Sequence, residues 1–440
     1  MDFKNQTKVS IILPVHNSKT YLKQCIESAM NQTFKEIEII CVCGSGNDGS
    51  DALVEEYQKK DSRIIKIDDV NGSYGHKLNI GTKASRGEYI AILETDDYLE
   101  KTMVEELYIT AMKEKVDFVD ADYYEFFEID NCEYKIIHNK YMDSDVYNRK
   151  LYAKDARMSV ILSDITANWT GLYKKDFLIK KNLFYNESPG ASYQDLGFRY
   201  LLACLVDTTY HVNKSLYHYR TDNENSSVKD MKKIFVVQKE YEYIFNQMKK
   251  KNILQKYLWD YYYIWKYRDY FWNVQRLEGD GRAAFLQLYR KELLNDIQNG
   301  NINQEIIEPR YENCIKKPID ESVDFNSVLN EISVTTAGKM EKLVEIVKKC
   351  KDKQIVICGC GVRGKNVNVL LEKENVLCMC DENPDLLGTF IGKRKVISYD
   401  DAVNRFPDSM FVVANRFYSK EVVKKLEILG IKREKMVLYD

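Results

Sequence analysis

Between residues 9 and 125, short runs of β-branched and aliphatic residues alternate with stretches whose apolar side chains recur every three or four positions. The runs 9–15, 38–42, 64–67, 89–93 and 118–120 predict strands, and 21–31, 51–60, 75–84 and 102–113 between them have helical spacing. Strands alternating with helices build a largely parallel sheet with crossover connections, so an α/β fold is expected. In such sheets ligands sit in the crevice beyond the carboxyl ends of the strands. His16-Asn17, the segment 43–48 and the segment 94–97 each follow a strand and should converge there.

The pattern changes further along. Residues 126–230 mix strand-like and helical pieces around two conspicuous clusters, Glu187-Ser188-Pro189-Gly190-Ala191-Ser192-Tyr193-Gln194-Asp195 and Tyr217-His218-Tyr219-Arg220-Thr221-Asp222. From 228 to 308 there is no proline, and the stretch reads as several helices. Residues 259–271 are aromatic nearly all round, which predicts a helix buried on every side. The weakest pattern, 307–334, reads as a linker, followed by a helix over 337–350. A strand at 354–358 then runs into Gly359-Cys360-Gly361-Val362-Arg363-Gly364 and a helix to 371. Strands at 375–380 and 410–414 and a helix at 419–429 complete a small second α/β unit, expected to fold alone. The chain thus divides into 1–229, a helical region and linker over 230–352, and 353–440.

With 440 residues, 45% hydrophobic and 30% charged, the chain has room for two or three domains with real cores, which excludes a disordered or collagen-like protein. Sixty-five basic residues against 67 acidic ones leave a net charge of −2. No global field recruits nucleic acid or an anionic membrane, so no nucleic-acid partner is expected. The polar opening and the absence of a run of ~20 apolar residues read as a cytoplasmic protein. Eleven cysteines, several inside apolar runs, fit buried thiols in a reducing compartment. The Cys358-x-Cys360 and Cys378-x-Cys380 pairs have the wrong spacing for a zinc knuckle and the right spacing to share a strand face.

Glu94-Thr95-Asp96-Asp97 places carboxylates side by side at a strand end. Their mutual repulsion is relieved by a divalent cation or by hydroxyl donors, and hard oxygen ligands favour Mg²⁺ or Mn²⁺. A helix cap at Asp97 satisfies the same residues without a metal. Asp195, before Leu196-Gly197-Phe198, reads equally as a chemical group or as a helix cap.

Several motifs together narrow this. Val9-Ser10-Ile11-Ile12-Leu13-Pro14-Val15-His16-Asn17, the segment Asn71-Gly72-Ser73-Tyr74-Gly75-His76-Lys77-Leu78-Asn79, Arg86-Gly87-Glu88-Tyr89-Ile90 and the acidic cluster resemble, in order and spacing, family 2 glycosyltransferases. These are inverting enzymes of GT-A fold that use nucleotide-activated sugars. The segments 189–195 and 217–220 resemble the subgroup associated with bacterial capsule and lipopolysaccharide synthesis. The likeness covers residues 9–227, about half the chain. It implies a GT-A domain over 1–229, a nucleotide-diphosphate sugar donor, a glycan or lipid-linked acceptor, and Mn²⁺ or Mg²⁺ as cofactor. It implies work at the inner face of the membrane, and is compatible with peripheral membrane contact and a homo-oligomer. Residue by residue, it puts Pro14, His16 and Asn17 beside the nucleotide and Asp96 on the ribose or sugar. Asp97 would hold the metal, Asp195 would be the catalytic base, and His218 would add a metal or diphosphate contact.

Two departures stand out. Family members commonly carry Asp-Asp-Gly-Ser after the second strand, one aspartate contacting the base, where this chain reads Cys43-Gly44-Ser45-Gly46. The acidic cluster opens with Glu94 rather than Asp. A catalytically weak or inactive GT-A-fold nucleotide-sugar-binding or scaffold protein is therefore the alternative to a transferase. In the last segment, Gly359, Gly361 and Gly364 after a strand, with Asp381 ending the next one, have the context of a dinucleotide fingerprint. Three readings stay open there: NAD, a nucleotide or nucleotide sugar, or a Rossmann-like docking or oligomerisation domain whose glycines serve close packing.

Overall fold

The computed structural model describes residues 7–141, 144–163, 167–191, 193–224, 230–415 and 417–439. Ser192 of the 189–195 motif and Lys229 at the expected first boundary lie outside them. The chain forms two compact units, Met1–Tyr124 with His138–Asn330, and Glu125–Ile137 with Glu331–Asp440. The expected boundary after 229 falls inside the first unit, and that after 352 inside the second.

The first unit opens with β1 (Val9–Val15), α1 (Lys19–Met30), β2 (Ile37–Gly44), α2 (Ser50–Lys60), β3 (Ile64–Asp69), α3 (Tyr74–Ala84) and β4 (Tyr89–Ile92). Every residue of β1, β2 and β4 is buried, as strands covered by helices on both faces require. Each buried Val, Ile or Leu contributes about 1.5–3 kcal/mol. These four strands pair in parallel in the order β3-β2-β1-β4. Pairing of β1 with β2 runs the whole length of β1, but pairing with β4 ends at Ile12, where Leu93 N donates to the Ile12 carbonyl at 3.0 Å. Pro14 has no N–H to extend the ladder. The two strands part beyond it and open a crevice at their carboxyl ends.

The sheet continues through β5 (Tyr98–Leu99), α4 (Met103–Glu114), β6 (Phe118–Ile129), β7 (Cys132–His138), β8 (Lys150–Tyr152), α5 (Ala153–Leu162), β9 (Gly171–Lys174), α6 (Lys175–Lys180), α7 (Gln194–Leu205) and β10 (Thr208–Arg220). On the far side of β4 the order is β9-β6-β10-β5, with β9 antiparallel to β4 and β6, and β5 antiparallel to β10. The α/β class with parallel strands at the centre is as expected.

Three helices follow, α8 (Val236–Lys250), α9 (Lys256–Arg276) and α10 (Gly279–Gln298). As expected, the aromatic stretch of α9 is largely buried, and it packs on the sheet domain's own helices. Trp265 Nε1 donates to the Ile161 carbonyl of α5 at 3.0 Å, and the Tyr200 hydroxyl of α7 donates to the Leu258 carbonyl at 2.5 Å. The segment read as a linker is instead folded. It holds α11 (Glu312–Ile315) between short 3₁₀ turns, and α12 (Phe325–Cys350) starts well before the expected helix. Tyr311, Cys314, Ile315 and Phe325 are buried in the core of the first unit, too sparsely spaced to show a period in the sequence.

The second unit builds a six-stranded sheet from β11 (Gln354–Cys358), α13 (Val362–Leu370), β12 (Asn375–Cys380), β13 (Phe390–Ile391), β14 (Arg394–Ile397), α14 (Tyr399–Arg405), β15 (Met410–Val413), α15 (Ser419–Ile428) and β16 (Met436–Leu438). Its order is β13-β14-β12-β11-β15-β16, parallel except at β13. Cys358, Cys378 and Cys380 are buried strand side chains in its core. Phe127, Tyr134 and Ile136 pack with Leu343, Ile346 and Val347 of α12 against this sheet. Residues 353–440 thus share their core with side chains from outside that segment. Among the described residues, no helix is long and apolar enough to cross a membrane.

One buried charge cluster ties β6 to β10 within the first unit. The Asp120 carboxylate meets the Lys140 ammonium and accepts from His211 Nδ1 at 2.5 Å, while Lys140 also donates to Thr170 Oγ1 at 2.7 Å. His211 Nε2 lies 2.9 Å from Ser159 Oγ, but this Ser–His–Asp series is wholly enclosed and serves as a core bond, not a nucleophile. Despite burial, the Lys140 and His211 contacts hold the Asp120 carboxyl well below the usual range. Asp120→Ala strands Lys140 without its counter-charge and should cost about 3–5 kcal/mol. The check is urea denaturation of the full chain; an unchanged midpoint contradicts the assignment.

Candidate active site

A cavity of about 310 Å³ lies at the carboxyl edge of the first unit's parallel strands. Its walls come from distant parts of the chain: His16 and Asn17 after β1, residues 94–97 after β4, Asn168 and Trp169 before β9, Tyr193–Asp195 at the start of α7, and Tyr219 and Asn223 at the end of β10. Asn17 adopts a left-handed φ of 47°, and its Oδ1 accepts from Asn47 N at 3.1 Å, tying the loop after β1 to the loop after β2. The segment 43–48 therefore supports the wall rather than lining it. Pro14 is buried within β1, paired with Val42, and acts by ending the ladder.

The acidic cluster is held by hydrogen bonds from β10. Asp97 is buried; its Oδ2 accepts from the Tyr217 hydroxyl and its Oδ1 from Arg220 N, each at 2.8 Å. The same Tyr217 hydroxyl accepts from Glu94 N at 3.1 Å. Arg220 Nε donates to the Asp96 carbonyl at 3.1 Å, Nη2 reaches Gln24 at 2.9 Å, and its guanidinium lies 4.2 Å over the Tyr21 ring. Asp96 Oδ2 accepts from Asn223 at 2.8 Å. Glu94 Oε1 accepts from the Tyr74 hydroxyl at 2.5 Å, which in turn accepts from Asn168 at 3.0 Å. Burial pushes the Glu94 carboxyl up to about 8 and the Asp97 carboxyl well above its ordinary range, and the charge on Asp96 adds to both. Three carboxyls so placed call for a cation or shared protons.

Residues 10–178 match the family model of Glycosyl transferase family 2. Over 218 residues, 48% of this chain, the sequence is 30% identical to glycosyltransferase GlyA of Streptococcus pneumoniae serotype 4, covering 30% of that protein. It is 30% identical to the putative glycosyltransferase EpsH of Bacillus subtilis over 233 residues, 52% of this chain and 64% of EpsH. The chain thus spans less than two thirds of either relative. Among solved structures, it is similar to S. aureus TarS 1–349 in complex with UDP-GlcNAc, with a TM-score of 0.45 and 15% identity over 67% of this chain and 88% of that one. It is also similar to the mannosyltransferase PcManGT from Pyrobaculum calidifontis in complex with GDP-Man and Mn²⁺, with a TM-score of 0.41 and 10% identity over 76% of this chain and 87% of that one.

The segment that matches the family model supplies His16, Asn17 and the acidic cluster; residues beyond 178 supply the opposite wall. Asp195 sits in the first turn of α7, half-buried at the cavity, directly after Tyr193 with its left-handed φ of 59°. Gln194 Nε2 pins the preceding loop by donating to the Ser188 and Gly190 carbonyls at 3.0 Å, and Tyr74 N donates to the Gly190 carbonyl at 3.0 Å. Gly75 is needed there, since a Cβ would stand 1.9 Å from the Asn186 carbonyl oxygen. Burial raises the Asp195 carboxyl to about 6, against the pull of nearby backbone N–H groups.

His218 is not part of this arrangement. Its side chain stacks on Tyr98 at 4.0 Å and its Nε2 meets Glu100 at 2.9 Å. Successive strand residues face opposite ways, so the residues that reach the site are Tyr217 and Tyr219, both stacked on Trp169. Period-two alternation along 217–220 was the available signal for them. Gly44 stands where the resemblance leads one to expect an aspartate. A Cβ there would lie 2.8 Å from Lys77 Cε and Nζ, and the buried Lys77 pairs with Asp69 at 3.3 Å. Gly359, Gly361 and Gly364 belong to the second unit. A Cβ at Gly364 would meet the Gly359 carbonyl oxygen at 1.8 Å, and one at Gly359 the Ala414 oxygen at 2.8 Å, so these two serve close packing, whereas Gly361 faces open space. Asp381 Oδ2 accepts from Cys360 N at 2.8 Å.

Tyr217→Phe removes a hydrogen bond to a carboxylate, worth ~1.5–3 kcal/mol, and on the reading proposed below should weaken nucleotide binding in the presence of Mn²⁺ by about ten- to a hundredfold. His218→Ala should leave it near parental. Calorimetric titration of UDP, GDP and CDP with Mn²⁺ checks both, and the reverse ranking would contradict the geometry.

Proposed function

We propose that this chain moves a sugar from a nucleotide-diphosphate sugar to a hydroxyl of a glycan or lipid-linked acceptor, with inversion, in surface polysaccharide synthesis. The observation that carries the reading is the convergence of Asp195 with Asp96 and Asp97 in one crevice at the end of β1, within a chain matching Glycosyl transferase family 2. On this reading the protein works in the cytoplasm, at the inner face of the membrane when the acceptor is lipid-linked.

The residues fit a divalent cation. Among the described residues no three His, Cys, Asp or Glu side chains form a complete ligand set, but Mg²⁺ and Mn²⁺ are commonly bound through one or two carboxylates plus substrate phosphates. Asp97, with Asp96 beside it, would hold the ion, and its charge would neutralise the departing nucleotide diphosphate. Tyr217 and Arg220 keep the Asp97 carboxylate in place and so fix where that charge sits. His16 and Asn17 border the donor side. Asp195, on the opposite wall, accepts the proton of the acceptor hydroxyl as that oxygen attacks the anomeric carbon. One base and no protein nucleophile give one displacement, hence inversion.

Lys77 at the position left open by Gly44 favours a second reading, a catalytically weak or inactive nucleotide-sugar-binding protein, because the base loses a carboxylate partner. Turnover separates the two. Screening nucleotide sugars for Mn²⁺-dependent nucleotide release should find a donor turned over by the parent. Asp97→Asn should abolish the metal dependence with the fold intact, and Asp195→Asn should lower turnover by about 10²–10⁴-fold while donor affinity holds. Because the base works deprotonated and burial sets its carboxyl near 6, kcat/KM should fall as pH drops through about 6. An Asp195→Asn enzyme as active as the parent reassigns Asp195 to a helix cap.

A further inference from the structure

A second concave surface lies in the helical part of the first unit, outside the crevice. Two adjoining cavities of about 550 and 520 Å³ share Tyr263 and Asn301 and run along the amino-terminal half of α9. Their floor is aromatic. Trp259 is half-buried, with its indole N–H spent on the Ile253 carbonyl at 2.9 Å, so that it presents ring surface only. Phe245 stands edge-on to it at 5.4 Å. The rim is polar and planar: Asp260 and Asn303 in one cavity, and the exposed carboxamides of Asn246 and Asn295 in the other.

Flat rings beside carboxylates and carboxamides match the two faces of a sugar, whose C–H groups pack on an aromatic ring while its hydroxyls need paired donors and acceptors. A lipid would want a wider apolar floor, and a phosphate would want cations, whereas the lining's Lys256 and Lys266 are already paired, Lys256 with Asp260 at 2.9 Å and Lys266 with Glu292 at 2.8 Å and Asp296 at 2.9 Å. The same helix connects this groove to the crevice. Trp272 of α9 stands edge-on to Tyr193, a wall of the crevice, at 5.4 Å. Thirteen residues separate Trp259 from Trp272, a helical rise of about 20 Å.

We propose that this groove is a glycan-binding site, separate from the donor crevice, that takes an extended oligosaccharide. Its role as a hold on the growing acceptor rests on the glycosyl-transfer reading; glycan binding itself does not. A chain gripped at Trp259, about 20 Å along the helix from the Trp272 that touches the crevice wall, stays on the protein between additions, and longer acceptors are favoured over short ones.

The test is retention of the full-length protein, without nucleotide or metal, on an array of bacterial surface polysaccharides and their oligosaccharide fragments. One or more extended glycans should retain it. Trp259→Ala should weaken retention by about tenfold, the effect of losing one stacked ring. Because Trp259 also packs on Phe245, the Asn246→Ala/Asn295→Ala variant, which changes exposed side chains alone, should weaken the same glycans. Asp97→Asn should bind them as the parent does. An array with no retained glycan, or retention indifferent to both groove variants, overturns the site; retention lost in Asp97→Asn assigns the glycan to the crevice and overturns it too. Where retention holds but donor turnover is absent, the transferase reading fails and the glycan site stands.

Discussion

A carboxylate withdrawn from water must be met by donors, and Asp97 is met twice by one strand: the Tyr217 hydroxyl and the Arg220 N–H both belong to β10. Much of the first unit can be understood as what it takes to make those two bonds. β10 must return to the carboxyl end of β4, so the sheet reverses after its parallel half and closes on the short β5, which carries the chain directly out of the acidic cluster. Trp169 stacked on Tyr217 and Tyr219 stiffens that return, and Arg220 spreads over Tyr21 and Gln24 to bring α1 into the same frame. Losing a partner of a buried charge is costly, so the acidic cluster and β10 behave as one piece.

The opposite wall is set by backbone fit rather than charge. The turn before α3 and the loop before α7 pair through Tyr74 N on the Gly190 carbonyl, and only a glycine at 75 lets them approach. That contact links Tyr74, which reaches Glu94, with the loop that presents Asp195. Glu94 and the loop that carries Asp195 are thus joined through short connections. Burial then shifts the carboxyls unequally: those of Glu94 and Asp97 are pushed well above their ordinary range, and the Asp195 carboxyl only to about 6.

The parallel half of the sheet was legible because its strands are continuous apolar runs ended by polar residues, and the resemblance to family 2 glycosyltransferases pointed to Asp96, Asp97 and Asp195. Tyr217 and Tyr219 stood inside the conspicuous 217–220 cluster without a role of their own, and Asn168 and Asn223 were not singled out, since a tyrosine or asparagine carries no signal until the strand or loop that turns it inward is known. His218 misled for the same reason: the type suggested a ligand, while alternation along β10 turns it to Glu100. The folded stretch after 307 escaped because its few buried side chains meet α9 and α10, a long-range fit without local period. Lys77 in the space beside Gly44 is likewise a contact between separate elements, visible only once β2 and α3 are packed.

The central claim is that a metal–nucleotide complex is held at the end of β1 and β4, against Asp97 and across from Asp195. Paramagnetic broadening of backbone amide signals by Mn²⁺, with UDP, GDP or CDP added to the isotopically labelled full chain, tests it directly. Broadening centred on residues 16–17, 94–97 and 193–195, and lost in Asp97→Asn, is the predicted result. Broadening centred on the glycine turn at 359–364, or on no segment of the chain, would contradict the account.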